Sequence, residues 1–264
     1  MISGLIVYSE LDLKKNTWFI NQCVKEFKDK GISLILKEEN EVVDYLKNNS
    51  ASFVFYRGRN FKIVEKIEEK GIRCFNNHLT NKIANDKWLS YQFLSTMSIP
   101  AIKSFSSLEE VKVFPLVMKS VDGHGGQEVY LIQTAKDAET NKKTNKRYVY
   151  QNYYPNSSDL RLYVLNKEIV GAVIRHNKND FRSNYSLGGE VNKYKPSKRV
   201  KDLAIKVATL LNADYIGVDF IKINNRWCIN EIEDPVGARM LYETSNCDII
   251  NLLVDYIGSS IMIY

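Results

Sequence analysis

Three acidic residues occupy a predicted β-hairpin in the last quarter of the chain. Two apolar runs, residues 215–223 and 227–232, flank an Asn-Asn-Arg turn, a pattern typical of a hairpin. Glu231 and Glu233 are separated by one residue and so share a strand face, and Asp219 can lie opposite them. Carboxylates on one face repel one another unless a cation neutralises them, and such ligands suit Mg²⁺. The pattern predicts a magnesium site; a solvated face of surface acids is the alternative interpretation.

A second candidate site is a glycine-rich loop that follows a lysine. Residues 115–119 and 128–132 are apolar enough to form paired strands, and Lys119 ends the first of them. The intervening loop contains Gly123, Gly125 and Gly126. Glycines allow close approach of the backbone to a ligand, so their N–H groups could cradle a phosphate. The Walker A pattern is absent because the lysine precedes the glycines. His124 lies in the same loop, where a lone histidine usually faces solvent.

The first 80 residues must position part of any site, and they alternate short strands with helices. This order predicts a doubly wound parallel sheet. No G-x-G-x-x-G follows the first strand, which argues against a dinucleotide-binding domain. Arg57 and Arg59 directly follow the predicted strand 52–56, at the end where such sheets bind ligands. Two interpretations stay open for this pair: a clamp for a carboxylate or phosphate, or solvated loop arginines.

A predicted helix and a β-rich region follow. Residues 81–97 have the composition of one helix, with Lys87 in its middle, where a lysine usually faces solvent. Further strands are predicted at 148–154, 159–165 and 168–175. Helices are predicted at 197–211 and 248–257, on either side of the acidic hairpin.

Composition restricts the class of protein. The chain has 264 residues, with 44% hydrophobic and 26% charged residues, which is typical of a globular protein. Its net charge of +6 suits an anionic ligand such as a nucleotide better than a nucleic-acid groove. No apolar run is long enough to span a membrane, and the N-terminus lacks signal-peptide features. The cysteines lack metal-binding spacing and favour a reducing cytosolic location: Cys23, Cys74, Cys228 and Cys247.

The order of several short motifs resembles that of the ATP-grasp ligases, and most closely their RimK-type branch. The resemblance covers the chain from about Lys87 onward. After Lys119 and the glycine-rich loop, the motifs are Q-N-Y-Y at 151–154, D-L-R at 159–161, D-F-R-S-N at 180–184, G-G at 188–189, G-V-D at 217–219 and N-E-I-E at 230–233. The resemblance implies an ATP-grasp fold, in which two α+β subdomains clasp ATP. A small doubly wound α/β domain would precede them.

The resemblance assigns a role to each motif. Nucleotide-binding residues would be Lys87, Lys119, Gly123, Gly125, Gly126, Gln151, Asn152, Tyr153, Tyr154 and Asp159. Residues around the transferred phosphate and the acyl substrate would be Arg161, Arg175, Arg182 and Asn184. Metal ligands would be Asp219, Glu231 and Glu233. The implied cofactors are ATP and Mg²⁺, with Mn²⁺ as an alternative to Mg²⁺.

The sequence departs from the family pattern in three places. Glu233 stands where the family usually has Asn, and Asn152 where it usually has Glu. The family's Asn-x-x-Pro-Gly turn is replaced by residues 233–237, with the proline one place earlier. A third carboxylate could alter the number or preference of metal ions, and the shifted proline could alter the geometry at the substrate.

The implied organisation and activity are specific enough to test. We expect an N-terminal α/β domain over 1–80, a lid subdomain with its linker helix over 81–150, and a metal-binding subdomain over 151–264. The implied reaction is ADP-forming ligation of a carboxylate to an amine through an acylphosphate. The surplus of arginines suggests an acidic substrate joined to an amino acid, a peptide or a protein end. The alternatives are a ring-forming, peptide-modifying ligase, a kinase on the same fold and a silent nucleotide-binding protein. No nucleic-acid or membrane partner is expected, and the oligomeric state is left open.

Overall fold

The computed structural model describes residues 2–126, 128–155, 159–176 and 190–262. Its first sheet is parallel, with strand order β2-β1-β3-β4. The elements in chain order are β1 (Ser3–Tyr8), α1 (Glu10–Asp29), β2 (Ser33–Glu38), α2 (Glu39–Asn48), β3 (Phe53–Tyr56), α3 (Phe61–Glu68) and β4 (Arg73–Phe75). The predicted doubly wound parallel sheet is confirmed.

Both faces of this sheet are covered, as a parallel sheet requires. On one face, α1 packs its buried Phe19, Cys23 and Phe27 against the strands together with the last helix of the chain. The opposite face packs against α2 and α3 through Val42 and Val64. The first region of the chain is therefore joined to the C-terminal end by a continuous core.

The single helix predicted over residues 81–97 is wrong. The structure has two helices there, α4 (His78–Ala84) and α5 (Lys87–Thr96). The Asp86 carboxylate accepts the backbone N–H of Leu89 and so caps a new helix start. Lys87 is consequently the first residue of α5, and its side chain is only 13% exposed, instead of facing solvent from mid-helix.

The second sheet is antiparallel, with strand order β5-β8-β6-β7. Its strands are β5 (Ser104–Phe105), β6 (Leu116–Ser120), β7 (Val129–Ile132) and β8 (Tyr148–Asn152), with a 3₁₀ turn at Leu108–Glu110 and α6 (Ala135–Asn141) between them. The predicted hairpin with a glycine-rich tip is confirmed by the pairing of β6 with β7. The expected boundary at residue 150 falls inside β8. The three-part division of the chain stays a prediction.

The third sheet has strand order β11-β10-β9-β12-β13, with all neighbours antiparallel. Its strands are β9 (Asp159–Leu165), β10 (Glu168–His176), β11 (Glu190–Lys193), β12 (Tyr215–Ile223) and β13 (Arg226–Glu233); the helices of this region are α7 (Lys198–Leu211), α8 (Arg239–Thr244) and α9 (Ile249–Met262). Asn224 and Asn225 turn the predicted hairpin with φ of 47° and 61°, a left-handed conformation that Asn tolerates.

The two faces of the third sheet have different partners. One face packs against α7 through Val200, Ala204 and Val207, with Leu162 and Val218 among the strand residues that it covers. The opposite face carries the polar residues described below. Among the described residues, none of the helices is both long and apolar enough to cross a bilayer.

Candidate active site

The polar face of the third sheet collects charged side chains from four neighbouring strands. Asp159 and Arg161 are two residues apart on β9 and therefore share one face. Arg175 of β10 pairs in register with Asp159. Asp219 of β12 pairs in register with both Arg161 and Glu231 of β13. The period of two along each strand therefore places these groups side by side. The predicted position of Asp219 opposite Glu231 is confirmed.

A buried ion-pair network connects these groups. Arg161 donates from Nε to Asp219 Oδ1 at 2.6 Å and from Nη2 to Asp219 Oδ2 at 2.7 Å. Its Nη2 also lies 2.7 Å from Glu233 Oε1. Arg175 Nη2 lies 2.6 Å from Asp219 Oδ2, and its Nε donates to Asp159 at 2.7 Å. Burial opposes ionisation of Asp219, but the two arginines outweigh it and lower the pKa of this carboxyl to about 2.

The three acids expected to surround one cation are each paired with a cationic side chain of the protein, and the magnesium site stays a prediction. No group of three or more acidic, histidine or cysteine side chains is placed to hold a metal ion within the described ranges. Arg161 compensates Asp219 and Glu233, whereas Lys87 Nζ lies 3.0 Å from Glu231 Oε1. The prediction assumed that only a cation from solution could neutralise these acids, and it overlooked cationic side chains on the adjacent strands. The donor chemistry still suits Mg²⁺, and Glu231 and Glu233 remain partly exposed to the cleft.

Two lysines approach the same cleft from the second sheet and from α5. Lys119 Nζ donates to Asn230 Oδ1 at 2.9 Å, and burial lowers the pKa of Lys119 to about 8. Lys87 Nζ donates to the carbonyl oxygen of Gly123 in addition to its pair with Glu231. Since Lys87 opens α5 next to the glycine-rich loop, it holds the base of that loop near the acidic hairpin.

A cleft lies between the second and third sheets. All ten predicted nucleotide-binding residues line it, together with Arg175 and the three acids of the hairpin. Arg161 reaches the cleft through its contacts with Asp219 and Glu233. Arg182 and Asn184 lie outside the described residues. The structure therefore brings together the described residues that the sequence nominated from separate motifs.

Several lining residues were missed by the sequence reasoning. Ile102, Val117 and Ile221 supply apolar surface to the cleft, and Asn230 supplies the partner of Lys119. Isolated aliphatic residues on strands carry no signal that separates a ligand contact from core packing. His124 lines the cleft and is exposed, as predicted for a loop histidine.

One buried acceptor provides a test of fit for a nucleotide base. Gln151 donates from Nε2 to Ser104 Oγ at 2.9 Å, but its Oε1 is buried at the cleft wall without a hydrogen-bond partner among the described residues. Buried hydrogen-bond acceptors without partners are uncommon in proteins, so Gln151 Oε1 is expected to accept from a donor on a bound ligand. The exocyclic amine of adenine is such a donor, and the apolar side chains nearby suit its ring.

Neither interpretation of Arg57 fits the structure. Its side chain is 5% exposed and donates to the carbonyl oxygen of Val236 at 2.7 Å, so it is not a solvated loop residue. It also lies within 6 Å of the Phe19 and Phe55 ring centres and outside the cleft lining. Arg59 is paired with Asp12 of α1. Arg57 therefore joins the first sheet to the segment after β13 instead of clamping an anion in the cleft.

The RimK-like ATP-grasp domain family matches residues 84–257. An uncharacterised protein of Mycoplasma pneumoniae, the MG011 homolog, is 29% identical over 98% of this chain and 92% of its own length. A "Probable alpha-L-glutamate ligase" of Haemophilus influenzae is 29% identical over 74% of this chain and 70% of its own length.

Solved structures agree with this family at the level of the fold. The D-alanine–D-alanine ligase of Bacillus anthracis superposes with a TM-score of 0.79 at 15% identity, over 99% of this chain and 97% of its own. The ATP-grasp ligase PsnB, solved with a minimal precursor, gives a TM-score of 0.74 at 16% identity, over 98% of this chain and 99% of its own. The fold is that of the ATP-grasp ligases. More particularly, the chain belongs to the RimK-like ATP-grasp family, as the sequence predicted.

Proposed function

We propose that this protein is an ADP-forming carboxylate–amine ligase that joins an amino acid to another amino acid, a peptide or a protein end through an acylphosphate. The observation that carries the proposal is the cleft itself. Lys87, Lys119 and the glycine-rich loop form one wall, and the carboxylates and arginines of the third sheet form the other. A polyphosphate between these walls would meet cations and backbone N–H groups on one side and oxygen ligands for Mg²⁺ on the other.

Each part of the nucleotide has a matching part of the cleft. The adenine would lie against Ile102, Val117 and Ile221, with its amine directed to Gln151. Lys119 and Lys87 would bind the phosphates, because their ammonium groups converge near the glycine-rich loop. Asp219, Glu231 and Glu233 would hold Mg²⁺, which neutralises phosphate charge when bound.

Ligation at neutral pH needs an activated carboxylate. A substrate carboxylate oxygen attacks the γ-phosphorus of ATP, ADP leaves, and an amine then displaces phosphate from the acylphosphate. The protein's contribution is positioning and charge compensation. Arg161 and Arg175 serve this role by fixing Asp219 and its neighbours in a preorganised array. No covalent nucleophile is required.

For the acyl substrate we propose an acidic amino acid such as glutamate. The support is the similarity to proteins named probable alpha-L-glutamate ligases. The expected surplus of arginines around the substrate is not supported, because Arg57 is outside the cleft and carboxylates compensate the charges of Arg161 and Arg175. The acidic substrate therefore depends on the relatives and no longer on an excess of arginines.

The second candidate is a ligase that modifies a precursor peptide. It is favoured by the similarity to PsnB, which was solved with a minimal precursor. The two candidates share the ATP chemistry and differ in whether the carboxylate and the acceptor belong to one peptide or to separate molecules.

The experiment measures ADP release from the purified protein with Mg²⁺ and ATP, using N-acetylated glutamate, aspartate and alanine as the carboxylates, each with and without an amino acid amide as the amine. We expect release that requires both a carboxylate and an amine, with glutamate preferred over alanine. Release with a hydroxyl acceptor alone would support a kinase instead. Alanine preferred over glutamate would overturn the acidic substrate while leaving the ligase in place.

A further inference from the structure

The segment directly after Glu233 is held by side chains from an early part of the chain. Asp234 is 4% exposed, and its two carboxylate oxygens accept from Asn76 Nδ2 and Asn81 Nδ2, each at 2.9 Å. Asn85 Nδ2 donates to the backbone carbonyl of Asp234 at 2.7 Å. We call these four residues the asparagine latch: Asn76, Asn81, Asn85 and Asp234.

The asparagines of the latch are themselves fixed by the backbone. Asn76 Oδ1 accepts the N–H groups of Asp214 and Tyr215 at 2.6 and 2.9 Å, where β12 begins. Asn81 Nδ2 also donates to the carbonyl of Gly58 at 3.0 Å. Asn76 and Asn81 are 4% and 1% exposed. Buried hydrogen bonds to a carboxylate are among the stronger ones in proteins, and their geometry is well defined.

The latch acts on the end of the strand that carries the acids. Glu233 is the last residue of β13, where it pairs with Gly217 of β12. Its side chain is 26% exposed and pairs with Arg161. Strand pairing with Gly217 fixes the backbone of Glu233, and the latch fixes the following residue, Asp234. Without the latch, the last residue of the strand could fray, and its carboxylate could leave the cleft.

We propose that Asp234 and the asparagines are positioning residues that preset Glu233 for the Mg²⁺–nucleotide complex. The inference rests on the proposed function, since it assumes that Glu233 contributes to a metal site. It assigns Asn76, Asn81 and Asn85 a role in metal binding through Asp234, the residue that follows Glu233. Groups that orient a metal ligand typically change metal affinity about 10- to 100-fold when removed.

A purely stabilising role is the competing explanation, and Asn77 provides the matched control. It neighbours Asn76 and also links α4 to the C-terminal half, with Nδ2 donating to the carbonyls of Leu211 and Asn212 at 3.0 and 2.9 Å. Those bonds end at α7, on the opposite face of the third sheet from the cleft. Asn77→Ala also removes the α4 cap in which Asn77 Oδ1 accepts the Thr80 N–H, and it should lose stability while the bonds of Asn81 and Asn85 to Asp234 remain.

The test is calorimetric ADP binding with and without Mg²⁺ for the wild type, Asn81→Ala, Asn85→Ala, Asp234→Asn and Asn77→Ala. ADP binding avoids any dependence on the unknown substrates. We expect Mg²⁺ to strengthen ADP binding to the wild type and to Asn77→Ala. In the latch variants, this gain should fall about tenfold or more, with metal-free ADP affinity unchanged.

The outcomes separate the latch from the proposed function. A wild-type Mg²⁺ gain that survives in the latch variants overturns the latch alone. A wild type that binds ADP without any gain from Mg²⁺ overturns the metal site and the latch together. If every latch variant fails to fold while Asn77→Ala folds, the latch is a folding element and its positioning role is wrong.

Discussion

Two buried arginine environments in this protein differ in how the charge is compensated. Arg161, at 7% exposure, lies among carboxylates and shares Asp219 with Arg175. Arg57, at 5% exposure, lies among aromatic rings and donates to a carbonyl oxygen and to the Tyr8 hydroxyl. Within the described part of the chain, no carboxylate lies at ion-pair distance from Arg57, since the ion pairs there involve other cations. We refer to these environments as the charged region and the aromatic region.

The difference separates functional from structural use of a buried charge. In the charged region, the carboxylates border an open cleft, so their pairing with arginines can be exchanged for pairing with a ligand. In the aromatic region, the guanidinium donates to a backbone carbonyl and lies beside aromatic rings. Changes in the charged region should therefore alter function first, and changes in the aromatic region should alter stability first.

The largest effect is expected for Asp219→Asn. The substitution keeps the size of the side chain but removes the charge that Arg161 and Arg175 share. We expect ADP release to fall about 100-fold or more, because preorganised charge contributes most to such reactions. Asp202→Asn, on the exposed face of α7, is the control and should retain full activity. Near wild-type turnover for Asp219→Asn would contradict a catalytic role for the charged region.

A smaller effect is expected for Lys119→Ala. Loss of a charge-assisted contact to phosphate should weaken ATP binding by about 1.5–3 kcal/mol. Lys142 is the control, because it forms an exposed pair with Glu139, and Lys142→Ala should change ATP affinity by less than about 1 kcal/mol. Calorimetry measures the ATP affinity of both variants, and equal affinities would argue against a phosphate contact for Lys119.

The aromatic region is tested by Arg57→Met. This variant leaves the Val236 carbonyl without its Arg57 donor, so we expect the free energy of unfolding to fall by about 1–3 kcal/mol. ADP affinity of the folded variant should be unchanged. Urea unfolding and calorimetry measure the two quantities, with exposed Lys47→Met as the neutral control. Lost ADP affinity with unchanged stability would reverse the assignment of the two regions.

The smallest effect is expected for Glu233→Asn, which introduces the residue that the family usually has. Arg161 keeps both bonds to Asp219 and loses only its bond to a partly exposed carboxylate. The Asn amide oxygen can still accept from Arg161 and offer an oxygen ligand to Mg²⁺, so turnover at saturating Mg²⁺ should change by less than about tenfold. A loss as large as that of Asp219→Asn would make Glu233 indispensable to the charged region.

Local sequence signals predicted the charged region well. The Asn-Asn turn sets the pairing as far as Phe220 opposite Ile229, and a β-bulge beyond that pair, which the sequence did not indicate, places Asp219 opposite Glu231. The lysine before the glycine-rich loop was also identified, since hairpins depend on neighbouring residues. The position of Lys87 in the middle of one helix was wrong, because the Asp86 cap was overlooked inside a continuous helical pattern.

Contacts between distant parts of the chain were not predictable from such signals. Arg57 and Val236 are 179 residues apart, and Asn76 and Asp234 are 158 residues apart. Neither pair has a spacing or composition that indicates a contact. The compensation of Asp219 by Arg161 depended on the strand order β9-β12, which the sequence did not specify.

The most direct test of the central claim follows the oxygen atoms of the acyl substrate. The purified protein is supplied with Mg²⁺, ATP, an amine acceptor and glutamate whose carboxylates carry heavy oxygen, and the released phosphate is analysed by mass spectrometry. An acylphosphate route transfers one labelled oxygen from the carboxylate to phosphate, and we predict phosphate with one heavy oxygen together with ADP and an amide product. ADP release with unlabelled phosphate, or with a phosphorylated hydroxyl as product, would contradict the claim that this cleft activates a carboxylate.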